Sequence, residues 1–212
     1  QLENSSESMF ITGRAGTGKS TLLQIFRNTT KKRTAVVAPT GIAALNVKGQ
    51  TIHSFFGFPP KMLNPADIGK RKNWRMYQRL DVLIIDEISM VRADMMDNID
   101  LFLRRNRGIN EPFGGVQLLL FGDLFQLPPV VASEFEKHIF KSRYESQYFF
   151  SSKIINGPDY HLGMIELQEV YRQSDRGFIN LLDNIRMRAI DYDDMETLND
   201  RHQPIPEDLR IQ

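Results

Sequence analysis

The feature that most constrains this chain is a short run near its start, Gly13-Arg14-Ala15-Gly16-Thr17-Gly18-Lys19-Ser20. It fits the spacing G-x-x-x-x-G-K-[ST], and its flanks matter as much as the spacing. An apolar run from Met9 to Thr12 precedes it, and a segment with helical periodicity, Ser20 to Asn28, follows. Glycines at such a strand-to-helix turn let backbone N–H groups converge on phosphate oxygens at a helix N-terminus. On this reading Gly13, Ala15, Gly16, Thr17, Gly18, Lys19, Ser20 and Thr21 cradle the phosphates of a nucleoside triphosphate. Lys19 reaches the β- and γ-phosphates and Ser20 ligates Mg2+. The bland alternative is a glycine-rich turn, which the strand before it and the helix after it disfavour.

Three further apolar runs, Thr34 to Ala38, Val82 to Asp86 and Gln117 to Gly122, read with the first as buried strands of one parallel sheet. Helical patterns lie between them, among them Arg92 to Arg105 with Met95, Ile99, Phe102 and Leu103 at three-to-four spacing. The alternation predicts an α/β domain with a mostly parallel sheet flanked by helices. Gly57 to Asn73, which contains Pro59, Pro60 and Pro65, reads as a loop or small insertion. Gly177 to Ile190 reads as a helix, after which Pro204 and Pro206 mark an extended exit.

Two of the strands end in groups with chemical potential. Val82 to Ile85 runs into Asp86 and Glu87, at the edge where an open parallel sheet presents its ligands. Asp86 is placed to hold Mg2+ and Glu87 to polarise an attacking water; an isolated acid pair at a strand end is otherwise a solvated cap. Gly122-Asp123-Leu124-Phe125-Gln126-Leu127-Pro128-Pro129 follows another strand and projects Gln126 at the same edge. An amide there senses the γ-phosphate, unless the segment is only a proline-stiffened loop.

Bulk properties exclude much else. The chain has no cysteine, which removes disulfides, thiolate metal sites and cysteine nucleophiles and fits an intracellular protein. No apolar run approaches the roughly 20 residues of a membrane span, so a soluble protein without a membrane partner is expected. A net charge of +1 means that nucleic-acid contact must come from a local patch. Between Gly57 and Arg79 six basic residues, Lys61, Lys70, Arg71, Lys72, Arg75 and Arg79, face one acid, Asp67. Around Arg188, Arg201 and Arg210 the balance reverses, with Asp191, Asp193, Asp194, Glu196, Asp200, Glu207 and Asp208.

Five segments in order carry a family resemblance: Ala38-Pro39-Thr40-Gly41-Ile42-Ala43-Ala44, Thr51-Ile52-His53-Ser54-Phe55, Asp86-Glu87-Ile88-Ser89-Met90, the Gly122 to Pro129 segment, and Glu169-Val170-Tyr171-Arg172-Gln173. Together with the phosphate loop they resemble superfamily 1 DNA helicases, most closely the PIF family related to RecD, over roughly residues 8–173. The resemblance implies a RecA-like P-loop NTPase domain over residues 1–175, using ATP and Mg2+ to drive 5′-to-3′ movement on single-stranded DNA. Residues 176–212 then form an exit toward a second RecA-like domain of the same polypeptide. Lys19, Glu87, Gln126 and Arg172 are the implied catalytic set, Arg172 neutralising the γ-phosphate, against a helix-end salt bridge as its structural alternative. Pro39, Thr40, Gly41, His53, Ser54, Phe55 and Phe58 are the implied DNA contacts. Stacking of bases on Phe55, Phe56 or Phe58 is attractive, but phenylalanine is usually core, so at least one of the three is expected to be buried. The basic segment 57–79 stands where related helicases carry a strand-separating pin. The late motifs and the base-reading glutamine of the family have no counterpart here, so the chain reads as the first half of a helicase, cytoplasmic if bacterial and nuclear or mitochondrial if eukaryotic. Two other classes remain: a nucleotide-dependent DNA-binding or regulatory module without turnover, and a small-molecule P-loop kinase, which the Gln126-Leu127-Pro128 and Thr51 to Phe55 segments disfavour.

Overall fold

The structure, a computed structural model, describes residues 2–131, 133–171 and 175–202. They divide between Val170 and Tyr171 into two compact units. The first is built on six parallel strands: β1 (Ser8–Gly13), β2 (Thr34–Ala38), β3 (Gln50–Thr51), β4 (Val82–Ile85), β5 (Gln117–Phe121) and β6 (Leu162–Leu167). Their spatial order is β3-β2-β4-β5-β1-β6. All four runs expected as strands are present within a residue at either end, and each pairs in parallel.

β4 and β5 form the centre, and every residue of both is buried. Successive side chains point to opposite faces, which sorts these continuous apolar runs into two cores. Leu83 and Ile85 of β4 join Leu118 and Leu120 of β5 on one face. Val82, Ile84, Leu119 and Phe121 lie on the other. Helix α1 (Lys19–Thr29) covers the second face through Leu23 and Phe26. The first face takes α5 (Ala93–Arg107), which buries Met96, Ile99, Phe102 and Leu103. Met96 thus occupies the core position expected of Met95, which is only partly buried. α5 ends at Gly108 with φ 72°, and three arginines in its last turn complement the negative end of the helix dipole.

Short helices α2 (Gly41–Asn46), α3 (Ile52–Phe56), α4 (Trp74–Gln78) and α6 (Glu134–Arg143) complete this unit. Between α3 and α4 the chain is irregular apart from a 3-10 turn over Pro65–Asp67, as the prolines predict. It is nonetheless fastened to α5. The Arg71 N–H donates to Asn106 Oδ1 at 2.8 Å, and Arg105 donates to the carbonyls of Pro65 and Ile68.

The second unit contains α7 (Arg176–Met187) and α8 (Tyr192–Asn199). α8 stands where an extended exit was expected. Acids supply its start: Asp191 accepts from the Asp194 N–H at 2.8 Å while Asp194 accepts from the Asp191 N–H, a reciprocal cap. Asn184 of α7 donates to Asp194 at 2.7 Å and ties the two helices together. Part of the acidic run is therefore helix-capping and bracing. Pro204 and Pro206 lie outside the described residues. No helix among the described residues is long and apolar enough to cross a membrane.

Candidate active site

Because all six strands are parallel, their C-terminal ends share one edge, and the residues singled out above follow those ends. The phosphate loop leaves β1. Gly13, at φ 146°, lies so close to β6 that a Cβ would meet the Leu167 carbonyl oxygen at 2.5 Å and Thr17 Oγ1 at 2.8 Å. Gly16 and Gly18 take φ 83° and 88°, a left-handed backbone that side chains resist. Thr17 is buried and its hydroxyl donates to the Arg14 carbonyl at 2.9 Å, locking the bend. Lys19 Nζ reaches back to the carbonyls of Gly13 at 2.7 Å and Arg14 at 3.0 Å. α1 begins at Lys19 with no side-chain cap and no acid in its first turn. Its leading N–H groups and positive dipole end are thus directed to an external anion. Ser20 and Thr21 are exposed on that turn.

Asp86 and Glu87 leave β4, two places from β1 with β5 between them, a separation on the order of 10 Å. Asp86 is 7% exposed, and its pKa is pushed up to about 6. Burial is the larger cause and the neighbouring Glu87 charge the second, opposed by the Glu87 N–H and by Lys19. The influence of Lys19 on Asp86 puts the phosphate loop and the acid pair within electrostatic reach of each other. Glu87 has φ 51° and ψ 44°, a left-handed conformation for a non-glycine residue, and opens a 3-10 turn over Ile88–Met90. Such a conformation costs of order 1–3 kcal/mol.

Gln126 leaves the interposed strand β5 and is exposed. Its loop is shaped by Asp123, which sequence reasoning left without a role: buried, it accepts the Phe125 N–H at 3.1 Å on its side chain and the Gln126 N–H at 3.0 Å on its carbonyl. A carboxylate two residues ahead of a backbone donor, directly after an apolar strand, is the signal that marks it. Arg172 falls outside the described residues.

The candidate nucleic-acid contacts cluster at the ends of β2 and β3. Thr40 and Thr51 cap α2 and α3, accepting from the N–H groups of Ala43 at 3.2 Å and Ser54 at 3.1 Å. Pro39, Thr40 and His53 line a groove of about 350 Å³ together with Met90 and Val130. Gly41 and Ser54 are exposed beside it. Phe58 is a correction. It is 6% exposed, stacked on Phe56 at 5.3 Å and edge-on to Phe102 at 5.5 Å, so it offers no face to a base. Phe56 is fully buried, and Phe55 alone keeps a partly open ring. Gly57, at φ 64°, ends α3 and turns the chain so that Phe58 re-enters the core. Arg71 is also spent internally, donating to the carbonyls of Phe56 and Gly57.

A parallel sheet with a phosphate loop on one strand, an acid pair two strands away and an amide loop between them defines a RecA-like P-loop nucleotide-binding domain. The sequence profile of the PIF1-like helicases matches residues 1–196, and the chain belongs to that family. It is 36% identical to the ATP-dependent DNA helicase PIF1 of Saccharomyces cerevisiae over 98% of this chain and 24% of that protein. To the human ATP-dependent DNA helicase PIF1 it is 38% identical over 85% of this chain and 27% of that one. The structure of the Bacteroides Pif1 helicase in complex with ADP-AlF3 and single-stranded DNA superposes with a TM-score of 0.88 at 39% identity, covering 98% of this chain and 49% of that chain. The chain thus spans about a quarter of the curated relatives and half of the solved one.

Proposed function

We propose that this chain is the ATP-binding motor domain of a DNA helicase that moves 5′-to-3′ on single-stranded DNA. The observation that carries the reading is the convergence of Lys19, Asp86, Glu87 and Gln126 from three neighbouring strand ends on one edge. The oxygen donors Ser20 and Asp86 suit Mg2+ and would hold it; bound there, it would supply positive charge against the phosphates during transfer. Lys19 and the leading N–H groups of α1 hold the phosphates. Glu87 orients and polarises the attacking water, Gln126 hydrogen-bonds the γ-phosphate, and Arg172 stabilises the charge that spreads over the transferring group. The groove lined by Pro39, Thr40 and His53 takes the strand, and the partly open ring of Phe55, on the same helix as His53, is the available aromatic platform.

The ssDNA-bound Bacteroides relative supports the strand-binding part of this reading, as does the family match for the ATPase part. The deciding experiment is steady-state ATP hydrolysis by the parent protein with and without an oligonucleotide. Turnover stimulated by single-stranded DNA and lost in Lys19→Ala is the expected outcome. Nucleotide binding with no turnover under either condition would instead establish a regulatory module.

A further inference from the structure

Away from the C-terminal edge, β3 is only two residues long and pairs with Val37 and Ala38 alone. The outer edge of β2 over Thr34 and Ala35 therefore forms the floor of a separate open groove of about 740 Å³. It lies toward the strands' N-terminal ends, and β4 and β5 stand between β2 and the phosphate-loop strand β1. Across the sheet that is on the order of 15 Å. Five cations line it, Arg27, Arg33, Lys48, Arg75 and Arg79, and no carboxylate does.

Two of the five are structural braces. Arg27 donates to the carbonyls of Val47 at 2.6 Å and Lys48 at 3.0 Å, satisfying the end of α2. Arg33 forks onto Asp81 with both contacts at 2.9 Å. The side chains of Lys48, Arg75 and Arg79 are exposed and have no ion pair or hydrogen-bond acceptor among the described residues. Arg75 only flanks the Trp74 ring, at 5.7 Å. In a chain whose net charge is +1, three unneutralised cations around one recess concentrate a positive field that attracts a polyanion. The same recess presents the open ring of Phe55 and the exposed Met76. A base in a single strand has a free face to set against them, whereas the bases of a duplex are already stacked.

We propose that this groove is a second binding site for single-stranded nucleic acid, holding the phosphodiester backbone on Lys48, Arg75 and Arg79. The proposal rests on the strand-binding reading above and extends it to a surface outside the ATP-bearing edge. α3 joins the two, since its Phe55 lines this groove and its His53 lines the other.

The test is fluorescence anisotropy of a labelled oligo-dT across a KCl series, with wild type and the triple variant Lys48→Gln, Arg75→Gln, Arg79→Gln. Each phosphate contact contributes about 0.7 to the slope of log affinity against log salt for single strands, so the triple variant should be shallower by about 2 and the single Arg79→Gln by about 0.7. The single variant keeps the measurement independent of any folding defect in the triple. ADP affinity should be unchanged in both. Unchanged slopes in variants that still bind oligo-dT overturn this site and leave the strand-binding reading standing. Failure of the wild type to bind oligo-dT overturns both. A slope change seen with a hairpin duplex but not with oligo-dT overturns the assignment to single strands.

Discussion

Asp86→Asn should stabilise the protein at alkaline pH while removing the proposed Mg2+ ligand. The folded-state pKa of Asp86 is about 6 against a reference of 3.8. At 1.36 kcal/mol per unit, ionising this carboxyl in the folded protein costs about 3 kcal/mol. A carboxyl whose folded pKa is raised contributes stability that is fully present below the unfolded value near 3.8. That contribution is lost as pH rises through about 6, because only the protonated form tolerates the buried site. Asparagine has no charge to desolvate, and its Oδ1 keeps an acceptor for the Glu87 N–H that the carboxylate engages. In urea unfolding without divalent cation, the variant should exceed wild type by about 2–3 kcal/mol at pH 8, the gap closing toward zero near pH 4. Mg·ADP should then raise the stability of wild type and leave the variant unmoved. A variant less stable than wild type at pH 8, or a gap independent of pH, would refute the argument that burial of this charge is what strains the site.

Three further outcomes are expected. Lys19→Ala should abolish Mg·ADP binding by calorimetry, and retained affinity would displace the phosphate site from the Gly13 to Ser20 loop. In the parent protein, Arg172→Ala should lower kcat by on the order of 10³-fold with little change in ATP affinity, and Arg172→Lys should rescue poorly, because a point charge does not reproduce a planar fork; a loss confined to thermal stability would reassign it as a structural salt bridge. Phe56→Ala should cost about 3–5 kcal/mol in denaturant unfolding, whereas loss of oligonucleotide affinity at unchanged stability would mean that the ring works on DNA and not in the core.

The parts of the architecture carried by long apolar runs could be read from the residues alone. β4 and β5 are buried on both faces and α5 keeps its apolar stripe, so their patterns survive in the sequence. β3 could not be read, because two residues have no periodicity and Gln50 and Thr51 become a strand only by pairing with Val37 and Ala38. β6 is an edge strand with no fully buried residue, Met164 and Glu166 exposed, and a glycine, Gly163, packed on Met9, so its apolar signal is weak. At the site, the positions of the phosphate loop and the acid pair were legible because each follows a strongly apolar run that the structure forms as a strand. The three phenylalanines were not distinguishable, since Phe55 and Phe56 part on the two faces of a five-residue helix and Phe58 returns to the core only through the left-handed turn at Gly57. Nor does a count of basic residues reveal that Arg71 is consumed by backbone carbonyls while Arg79 is not.

Gly122 is where the Gln126 loop leaves β5, and a single methyl group there would stand 2.9 Å from Ile88 Cγ2, 3.1 Å from the Ile88 nitrogen and 3.2 Å from the Ser89 nitrogen. Close-packed protein transmits displacement instead of absorbing it. Ser89 itself is fully buried with a hydroxyl that finds no hydrogen-bond partner among the described residues, so this turn has no slack and one unsatisfied group. The loop bearing Gln126 and the turn bearing Glu87 are thereby geared to one another. Displacement of the first is therefore felt at the second, and under the roles proposed for Gln126 and Glu87 this contact couples sensing of the terminal phosphate to orientation of the water.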